Sequence, residues 1–143
     1  HHLAAQRAGK PFGLLVLDMD HFKRVNDNYG HAAGDAVLQV LADVLLESVR
    51  ATDFVARFGG EEFVVLLPDV VDAAQGQVVA EKVRAAVAST LFPSVGAATV
   101  SVGLSCWAAS DRDAHDVFAR ADKALYEAKM QGRNRVMALM QAV

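Results

Sequence analysis

The sequence feature that most constrains the fold is a pair of short apolar runs, residues 54–58 and 63–67, on either side of the tetrapeptide GGEE at positions 59–62. Glycine adopts the positive φ angles that tight turns require, so this pattern predicts a β-hairpin that turns at the glycines. Phe58 and Phe63, which border the turn, are expected in the core. The turn itself combines two carboxylates with two residues that lack side chains, which allows a ligand to approach the backbone closely.

The apolar patterns around the hairpin predict a mixed chain of strands and helices. Short apolar or alternating runs predict strands, and apolar residues at helical spacing predict helices. The resulting order is β-α-β-β-α-β followed by α-β, and its first six elements match the ferredoxin-like order of nucleotide-polymerising palm domains. In chain order we predict a strand over residues 13–20, a polar loop over 21–30, a helix over 33–49, the hairpin, a helix around 79–87, a strand over 97–107, a helix around 117–128 and a strand over 134–139.

Length and composition fit a single domain over residues 1–143 of the α/β class, an α+β sandwich with a ferredoxin-like core and an added helix and strand. The apolar content of 53% argues against disorder. The net charge of −3 argues against a nucleic acid polymer as partner. No apolar window approaches the roughly 18–20 residues of a membrane helix. The single cysteine, Cys106, excludes an internal disulfide and fits a reducing cytoplasm.

Four carboxylates gather at the predicted ends of neighbouring strands. Asp18 and Asp20 lie two residues apart at the end of the first strand, so both can point to one face of the sheet, and Glu61 and Glu62 lie in the hairpin turn. In a β-α-β-β fold these groups can meet. Such hard oxygen ligands suit magnesium, which offsets phosphate charge in phosphoryl transfer. The alternative, which a lone Asp-x-Asp pair would favour, is that they are solvated strand-end and turn residues.

Five blocks of the sequence resemble the GGDEF family of diguanylate cyclases. Residues 57–63 (RFGGEEF) are similar to the family signature in its GGEEF form. Residues 18–27 (DMDHFKRVND) resemble D-x-D-x-F-K-x-I-N-D, and residues 30–35 (GHAAGD) resemble G-H-x-x-G-D. Residues 101–103 (SVG) resemble an S-x-G strand, and residues 121–134 resemble A-D-x-A-L-Y-x-A-K-x-x-G-R-N. The blocks follow the family order over nearly the whole chain.

The resemblance implies an enzyme that condenses two GTP molecules into cyclic di-GMP, with Mg²⁺ or Mn²⁺ as cofactor and a homodimer as the active form. It also implies inhibition by the product. The family usually begins with a D-x-L-T-G-L-x-N-R-R stretch that this chain lacks, so we expect a truncated N-terminal edge and an upstream regulatory domain. For this domain we expect a cytoplasmic location without membrane contact.

The resemblance assigns the metal site to Asp18, the backbone carbonyl of Met19, and Glu61, with Glu62 in a weaker supporting role. It also implies that Glu61 helps to deprotonate the 3′-hydroxyl of GTP. Lys23 resembles the residue that stabilises negative charge in the transition state, and the alternative is an ordinary exposed lysine. Glu61 and Lys23 are therefore the candidate catalytic residues.

Asp35 is the candidate reader of the guanine base. Its carboxylate can accept hydrogen bonds from guanine N1–H and the N2 amino group, whereas adenine would leave the carboxylate unpaired. Asn26 can read the same edge with its amide group. The alternative for Asp35 is a carboxylate in the first turn of a helix, where it interacts with the helix dipole.

Other residues resemble contacts to the substrate phosphates. Lys129 lies in the last turn of its predicted helix and Arg133 lies just beyond, where the alternative role is interaction with the helix dipole. The backbone around Phe22 and Lys23 can offer N–H groups to phosphates. The remaining expected substrate contacts are His31, Gly59 and Gly60. For His31, a structural role in packing the loop is at least equally compatible with the sequence.

Arg50 and Asp53 form an R-x-x-D pair shortly before the glycine turn, and this placement resembles the family's inhibitory site for cyclic di-GMP. Arginine can donate two hydrogen bonds to guanine O6 and N7 and stack on the base, and aspartate can pair with the donor edge. Arg57 is expected to assist. The alternative is a helix-end arginine and a turn aspartate.

Three other functions compete with the cyclase. One is a catalytically silent receptor that binds GTP or cyclic di-GMP, against which the turn acids and Lys23 argue. Another is a cyclase that also accepts adenine nucleotides, against which Asp35 argues. The third is a replicative polymerase palm, which a small acidic chain does not favour.

Overall fold

A five-stranded β-sheet with helices packed on both faces forms the centre of the structure, a computed structural model that describes residues 11–140. The elements are β1 (Gly13–Met19), α1 (Phe22–Tyr29), α2 (His31–Ser48), β2 (Phe54–Arg57), β3 (Glu62–Leu67), α3 (Ala73–Ala88), β4 (Leu91–Phe92), β5 (Gly96–Ala97), β6 (Val100–Cys106), α4 (Ala114–Met130) and β7 (Val136–Ala138).

The sheet has the order β2-β3-β1-β6-β7, with β1 at its centre. β1 pairs antiparallel with β3 and β6, and β2 pairs antiparallel with β3. These four strands, connected through α2 and α3, have the ferredoxin-like order that the sequence predicts. The added helix is α4, and the added strand is β7, which pairs parallel with β6. The predicted fold class is confirmed.

Residues 21–30, which we expected to form a loop, contain helix α1. Only Phe22 and Val25 of this helix are buried, so its apolar pattern is one i, i+3 pair rather than a repeating stripe. The sequence pattern also gives no sign of the β4–β5 hairpin, whose strands have two residues each. Elements that bury so few residues leave a periodicity too weak to detect.

Strand β1 separates two apolar layers. Leu15 and Leu17 belong to the larger core with α2 and α3, whereas Leu14 and Val16 belong to the smaller core under α4. Because side chains alternate along a strand, Asp18 continues the second row and faces α4. The central strand is therefore apolar along its length and ends in a carboxylate on the α4 side.

Strand β6 and helix α4 approach each other closely at Gly103. A Cβ atom at this position would lie 2.0 Å from the Ala121 carbonyl oxygen and 2.4 Å from the Leu125 backbone nitrogen. Both neighbours are helix backbone, which cannot move aside as a flexible side chain can. Gly103 therefore sets the distance between the sheet and the helix that carries Lys129.

We expect Gly103→Ala to lower the free energy of unfolding by about 2–3 kcal/mol, because the added methyl group forces β6 and α4 apart. Gly60→Ala is the matched control. An added Cβ there meets nothing within 4 Å in the described structure, so its effect should stay within about 0.5 kcal/mol. Urea denaturation measures both values, and unchanged stability of Gly103→Ala would contradict the packing described for this contact.

The expectation of a single domain over residues 1–143 with a truncated N-terminal edge stays a prediction, because residues 1–10 and 141–143 lie outside the described range. Of the helices formed within residues 11–140, none has both the length and the apolar character that crossing a membrane requires.

Candidate active site

The centre of the candidate site is an ion pair between Asp18, at the end of β1, and Lys129, in the last turn of α4. Lys129 Nζ donates to Asp18 Oδ2 at 2.6 Å. Asp18 is only 6% exposed, and its Oδ1 atom is buried without a hydrogen bond from any residue of the described chain. An unpaired buried carboxylate oxygen is costly, so an added cation would be favourable at Oδ1.

Two further carboxylates lie near Asp18. Glu62 is directly opposite Asp18 in the β1–β3 ladder, and Asp122 lies on α4. Burial raises the pKa of Glu62, and the negative charges of Asp122 and Asp18 raise it further, against the effect of Lys129. Burial also raises the pKa of Asp18, against the lowering effect of its hydrogen bond from Lys129. Negative charge therefore exceeds positive charge among these four side chains.

Asp122 is a site residue that the sequence analysis missed. It precedes Lys129 by seven residues, which is about two helical turns and puts both residues on one face of α4. Once Lys129 is identified as a site residue, this seven-residue spacing indicates that Asp122 lies on the same side of the helix.

Glu61 and Glu62 differ in their surroundings. Glu62 is half-buried and pairs with Asp18 across the sheet, whereas Glu61 is exposed in the turn, one residue before β3 begins. The structure therefore brings Glu62 beside Asp18. The assignment of the stronger metal role to Glu61 stays a prediction.

The hairpin turn is closed by two hydrogen bonds and is open on its outer side. The Phe58 backbone N–H donates to the Glu62 carbonyl oxygen at 2.6 Å, and Arg57 Nε donates to the Gly60 carbonyl oxygen at 2.7 Å. Gly59 has a φ angle of +69°, which favours glycine, and a Cβ at Gly59 or Gly60 would meet nothing within 4 Å among the described residues. The predicted turn is confirmed, with free space above the two glycines.

The oxygen atoms at the end of β1 fit a magnesium or manganese ion, since they include the open Oδ1 atom of Asp18. Within residues 11–140, no three His, Cys, Asp or Glu side chains converge as a complete metal site. Backbone carbonyls, for which Met19 is the candidate, and phosphate oxygens can complete a site that contains one or two carboxylates. Magnesium commonly binds through one or two carboxylates together with substrate phosphates.

Asp20 lies beside Asp18 on the same side of the sheet, as its spacing predicts, but its carboxylate is already bonded. Ser101, which is opposite Asp18 in the β1–β6 ladder, donates to Asp20 Oδ1 at 2.6 Å. Thr99 Oγ1 and the Asn134 backbone N–H donate to Oδ2 at 2.7 and 3.0 Å. Asp20 is therefore a structural acceptor rather than an open metal ligand.

Helix α1 presents its N-terminus at the end of β1. His21, the residue before the helix, has a φ angle of 60°, and the helix start has no side-chain capping hydrogen bond within the described chain. The first N–H groups of α1 therefore remain available to an anion, which helix N-termini favour. The Phe22 side chain is buried in the core, so only its backbone N–H can reach a phosphate.

Lys23 belongs to α1 rather than to a loop. Its Nζ atom contacts Asp27 Oδ2 at 3.2 Å, and its side chain is 89% exposed. An exposed i, i+4 pair of this kind contributes little stability, so Lys23 can turn toward a bound phosphate. The catalytic assignment of Lys23 stays a prediction.

A pocket of about 190 Å³ lies between α2 and the hairpin strands. A Cβ on Gly34 would lie 2.0 Å from Asn26 Oδ1, so the Asn26 amide packs against the residue that precedes Asp35. The two predicted base readers are thus close together, whereas His31 is the exposed first residue of α2. The pocket is lined by Asp35, Leu38, Gln39, Ala42, Leu46, Val55, Arg57 and Phe63.

Arg133 lies in a loop with an unusual backbone. Gly132, Arg133 and Asn134 have consecutive φ angles of 126°, 64° and 47°, in a region that disfavours residues with side chains. The loop directly follows the helix turn that carries Lys129. Both predicted phosphate contacts therefore lie on one short stretch at the end of α4.

A second pocket, of about 380 Å³, surrounds Arg50 and Asp53. Asp53 Oδ2 accepts from the Arg50 backbone N–H at 2.9 Å, and Asp53 Oδ1 is buried without a donor from the described part of the chain. Arg50 Nη2 contacts Asp69 Oδ2 at 3.0 Å. Lys82 of α3 also lines this pocket, and the sequence analysis missed it because no local spacing connects α3 to the R-x-x-D pair.

The structure corrects the expectation that Phe58 lies in the core. Phe63 is buried as predicted, but Phe58 is 55% exposed and lies against Phe118 of α4 with ring centroids 5.3 Å apart. Phe58 directly follows β2, an edge strand whose residues are mostly exposed.

Arg57 lies at the far end of β2 from Asp53, lines the Asp35 pocket and bonds the hairpin turn. Its assistance to the R-x-x-D pair stays a prediction.

The comparison with known proteins agrees with this geometry. The family model described as "Diguanylate cyclase, GGDEF domain" matches residues 1–135. The chain belongs to the GGDEF family.

Individual relatives of this GGDEF domain have similar sequences and structures. Diguanylate cyclase DgcP of Pseudomonas aeruginosa is 47% identical over 133 residues, which are 91% of this chain and 20% of DgcP, so the chain spans about a fifth of that relative's length. The active GGEEF domain of a diguanylate cyclase from Vibrio cholerae is 34% identical, with a TM-score of 0.86 over 96% of this chain and 88% of that one. The GGDEF domain of DgcB from Caulobacter crescentus, solved in complex with c-di-GMP, is 39% identical, with a TM-score of 0.84 over 94% and 81%.

We expect Asp18→Asn to raise the free energy of unfolding of the metal-free domain at pH 7 by about 0.5–2 kcal/mol, as relief of an unfavourable site charge commonly does. The raised pKa of Asp18 means that the folded protein holds this proton more tightly than the unfolded chain. Wild-type stability therefore falls as pH rises from the ordinary value of 3.8 through the raised pKa. The stability that Asp18→Asn adds should be fully present above this pH interval and absent below it.

Urea denaturation at pH 7 and at pH 3.5 measures this difference. Asp27→Asn, which removes an exposed carboxylate, is the matched control and should change stability little. A less stable Asp18→Asn protein at pH 7 would show that the Lys129 contact outweighs the cost of burial.

Proposed function

We propose that this GGDEF domain condenses two GTP molecules into cyclic di-GMP and two pyrophosphates. The observation that carries the proposal is Asp18, a buried carboxylate with one open oxygen beside Glu62 and Lys129. Such a site suits a triphosphate bound with metal better than it suits a neutral ligand. The similarity to diguanylate cyclases over nearly the whole chain supports the same reaction.

In this proposal Asp18, the Met19 carbonyl and Glu61 hold the metal ions, with Glu62 in support. GGDEF cyclases depend on divalent metal ions. Bound Mg²⁺ or Mn²⁺ would offset the phosphate charge and lower the pKa of the attacking 3′-hydroxyl. Glu61, exposed at the hairpin tip, is the base that accepts the proton of this hydroxyl.

The substrate phosphates bind among groups from α1 and α4. Lys129 exchanges its contact with Asp18 for a phosphate oxygen, and Arg133 approaches from the following loop. Lys23 turns from Asp27 to the transferring phosphoryl group, where its charge stabilises the transition state. The uncapped start of α1 supports this arrangement, because the N–H groups of Phe22 and Lys23 can donate to the same phosphates.

The guanine base binds in the pocket of Asp35. The Asp35 carboxylate accepts from N1–H and the N2 amino group, and Asn26 contacts the same edge of the base. Apolar walls that include Leu38 and Phe63 support the binding of a planar ring. Adenine would leave the carboxylate unpaired in this pocket, so ATP should be rejected.

Catalysis needs two copies of the domain, because one domain binds one GTP and each 3′-hydroxyl attacks the α-phosphate of the other nucleotide. The exposed Glu61 and the free space above Gly59 and Gly60 support a junction at the hairpin tip. An upstream regulatory domain would control how often two copies meet. A cytoplasmic location, where GTP is available, fits this reaction.

We also propose that cyclic di-GMP binds at Arg50 and Asp53 and inhibits the enzyme. The open Oδ1 atom of Asp53 can accept from the donor edge of a guanine. Arg50 can donate to O6 and N7 after release from Asp69. Lys82, on the same pocket wall, can neutralise a phosphate of the product.

Incubation of the domain at high concentration with GTP and Mg²⁺, followed by chromatography, tests the proposed reaction. We expect cyclic di-GMP and pyrophosphate in a ratio of one to two, none from ATP, and a loss of about 10²–10⁴-fold in rate with Glu61→Ala. Glu47→Ala, at an exposed position of α2 outside the Asp35 pocket, is a charge-matched surface control for the preparation.

Two outcomes would contradict the enzyme. GTP binding without product, in domains joined as a forced dimer, would favour a silent receptor. Equal rates for Glu61→Ala and the unsubstituted domain would remove Glu61 from the mechanism.

Arg50→Ala tests the inhibitory site. We expect the concentration of cyclic di-GMP that halves the rate to rise about tenfold or more, because a bidentate arginine–guanine contact contributes about 1–3 kcal/mol. The initial rate without added product should stay unchanged. Arg112→Ala removes another exposed arginine on the surface and is the charge-matched control. Equal inhibition of all three proteins would exclude this pocket as the product site.

A further inference from the structure

Asp20 is a buried carboxylate that connects three separate parts of the chain. It is 7% exposed and follows β1 directly. Its oxygens accept from Ser101 in β6, from Thr99 just before that strand and from the Asn134 backbone N–H after α4, at 2.6 to 3.0 Å. The Asp20 backbone N–H also donates to the Thr99 carbonyl oxygen at 2.8 Å. The turn that leads into α1 and the loop that carries Arg133 are thus joined through one side chain.

The loop after α4 needs such an anchor. Arg133 and Asn134 both have left-handed backbone angles, which are unfavourable for residues with side chains and persist only where neighbours hold them. Within the described chain, the Asn134 N–H is bonded to Asp20, and the Asn134 side-chain oxygen accepts from Arg84 Nη1 at 2.8 Å. The Arg133 N–H returns to the Ala128 carbonyl oxygen at 2.9 Å and continues the helix end.

We infer that Asp20 is a positioning residue that holds Arg133 in place for the substrate phosphates. The inference rests on the proposed function, in which Arg133 contacts the triphosphate. Asp20 itself touches no phosphate in this account, since its carboxylate is already bonded to three donors. Its effect on the reaction passes through the Asn134 N–H and the backbone of Arg133.

The chemistry of the three donors decides which substitution tests the anchor. The Asp20 carboxylate accepts from the Ser101 hydroxyl at Oδ1 and from the Thr99 hydroxyl and the Asn134 N–H at Oδ2. Asparagine can keep the Asn134 bond, since its oxygen can face Thr99 and Asn134 while its NH₂ group donates to the Ser101 hydroxyl. Asp20→Ala removes every acceptor and therefore breaks the bond to the Arg133 loop.

The first measurement is amide hydrogen exchange of Asn134 in the nucleotide-free domain. We expect exchange about tenfold or more faster in Asp20→Ala, because this N–H loses its acceptor. Asp111→Ala is the matched control, since Asp111 is also a buried carboxylate, bonded to Arg120 and the Ala108 N–H instead. It should lower thermal stability and leave exchange at Asn134 unchanged. Unchanged exchange in Asp20→Ala would overturn the inference.

The second measurement is the binding of 3′-deoxy-GTP, which lacks the attacking hydroxyl, in the presence of Mg²⁺. We expect Asp20→Ala to weaken binding about tenfold in the unsubstituted background and to have almost no effect in the Arg133→Ala background, because the two residues act as one unit. An equal loss in both backgrounds would indicate a general structural defect and overturn the inference.

Two further outcomes are distinguishable. If Asp20→Ala does not fold, Thr99→Val removes one donor that fixes the carboxylate, and it must give the same pattern with smaller changes for the inference to stand. If the unsubstituted domain binds no 3′-deoxy-GTP, the proposed function fails, while hydrogen exchange at Asn134 still decides whether Asp20 holds the loop.

Discussion

The contact of 2.6 Å between Lys129 Nζ and Asp18 Oδ2 is the interaction on which the rest of the site depends. It joins the end of the central strand to the end of the last long helix, and it leaves the second oxygen of Asp18 buried and unpaired. Burial penalises the charge of Asp18, so a cation beside this carboxylate is favourable. Lys129 provides that cation in the structure described here, and the proposed reaction requires a metal ion to replace it.

The fold provides a buried frame for this exchange and leaves the proposed catalytic groups exposed. β1 is buried along its whole length, and Gly103 holds α4 against the neighbouring strand. Asp20 then ties the Arg133 loop to the same strand end. Glu61 and Lys23, by contrast, are exposed and held by few contacts. A frame with buried carboxylates and exposed outer groups suits the proposed site, which two domains complete together.

Local patterns predicted the parts of the site that depend on strand pairing. The hairpin turn, the buried strand before Asp18 and the meeting of Asp18 with a turn glutamate all follow from period-two alternation and ferredoxin-like order. Helix α1 was not predictable in this way, because its packing rests on Phe22 and Val25 alone. The bond from Asn134 to Asp20 joins residues 114 positions apart, and no local pattern encodes it. The exposure of Phe58 likewise depends on where the edge strand leaves the core.

A crystal structure of the domain with 3′-deoxy-GTP and Mn²⁺ tests the central claim most directly, since anomalous scattering locates the metal. The account predicts a manganese ion about 2.0–2.3 Å from Asp18 Oδ1, with Lys129 turned from Asp18 to a phosphate oxygen. A nucleotide bound in the Asp35 pocket with Lys129 still on Asp18, and no metal at that carboxylate, would contradict it.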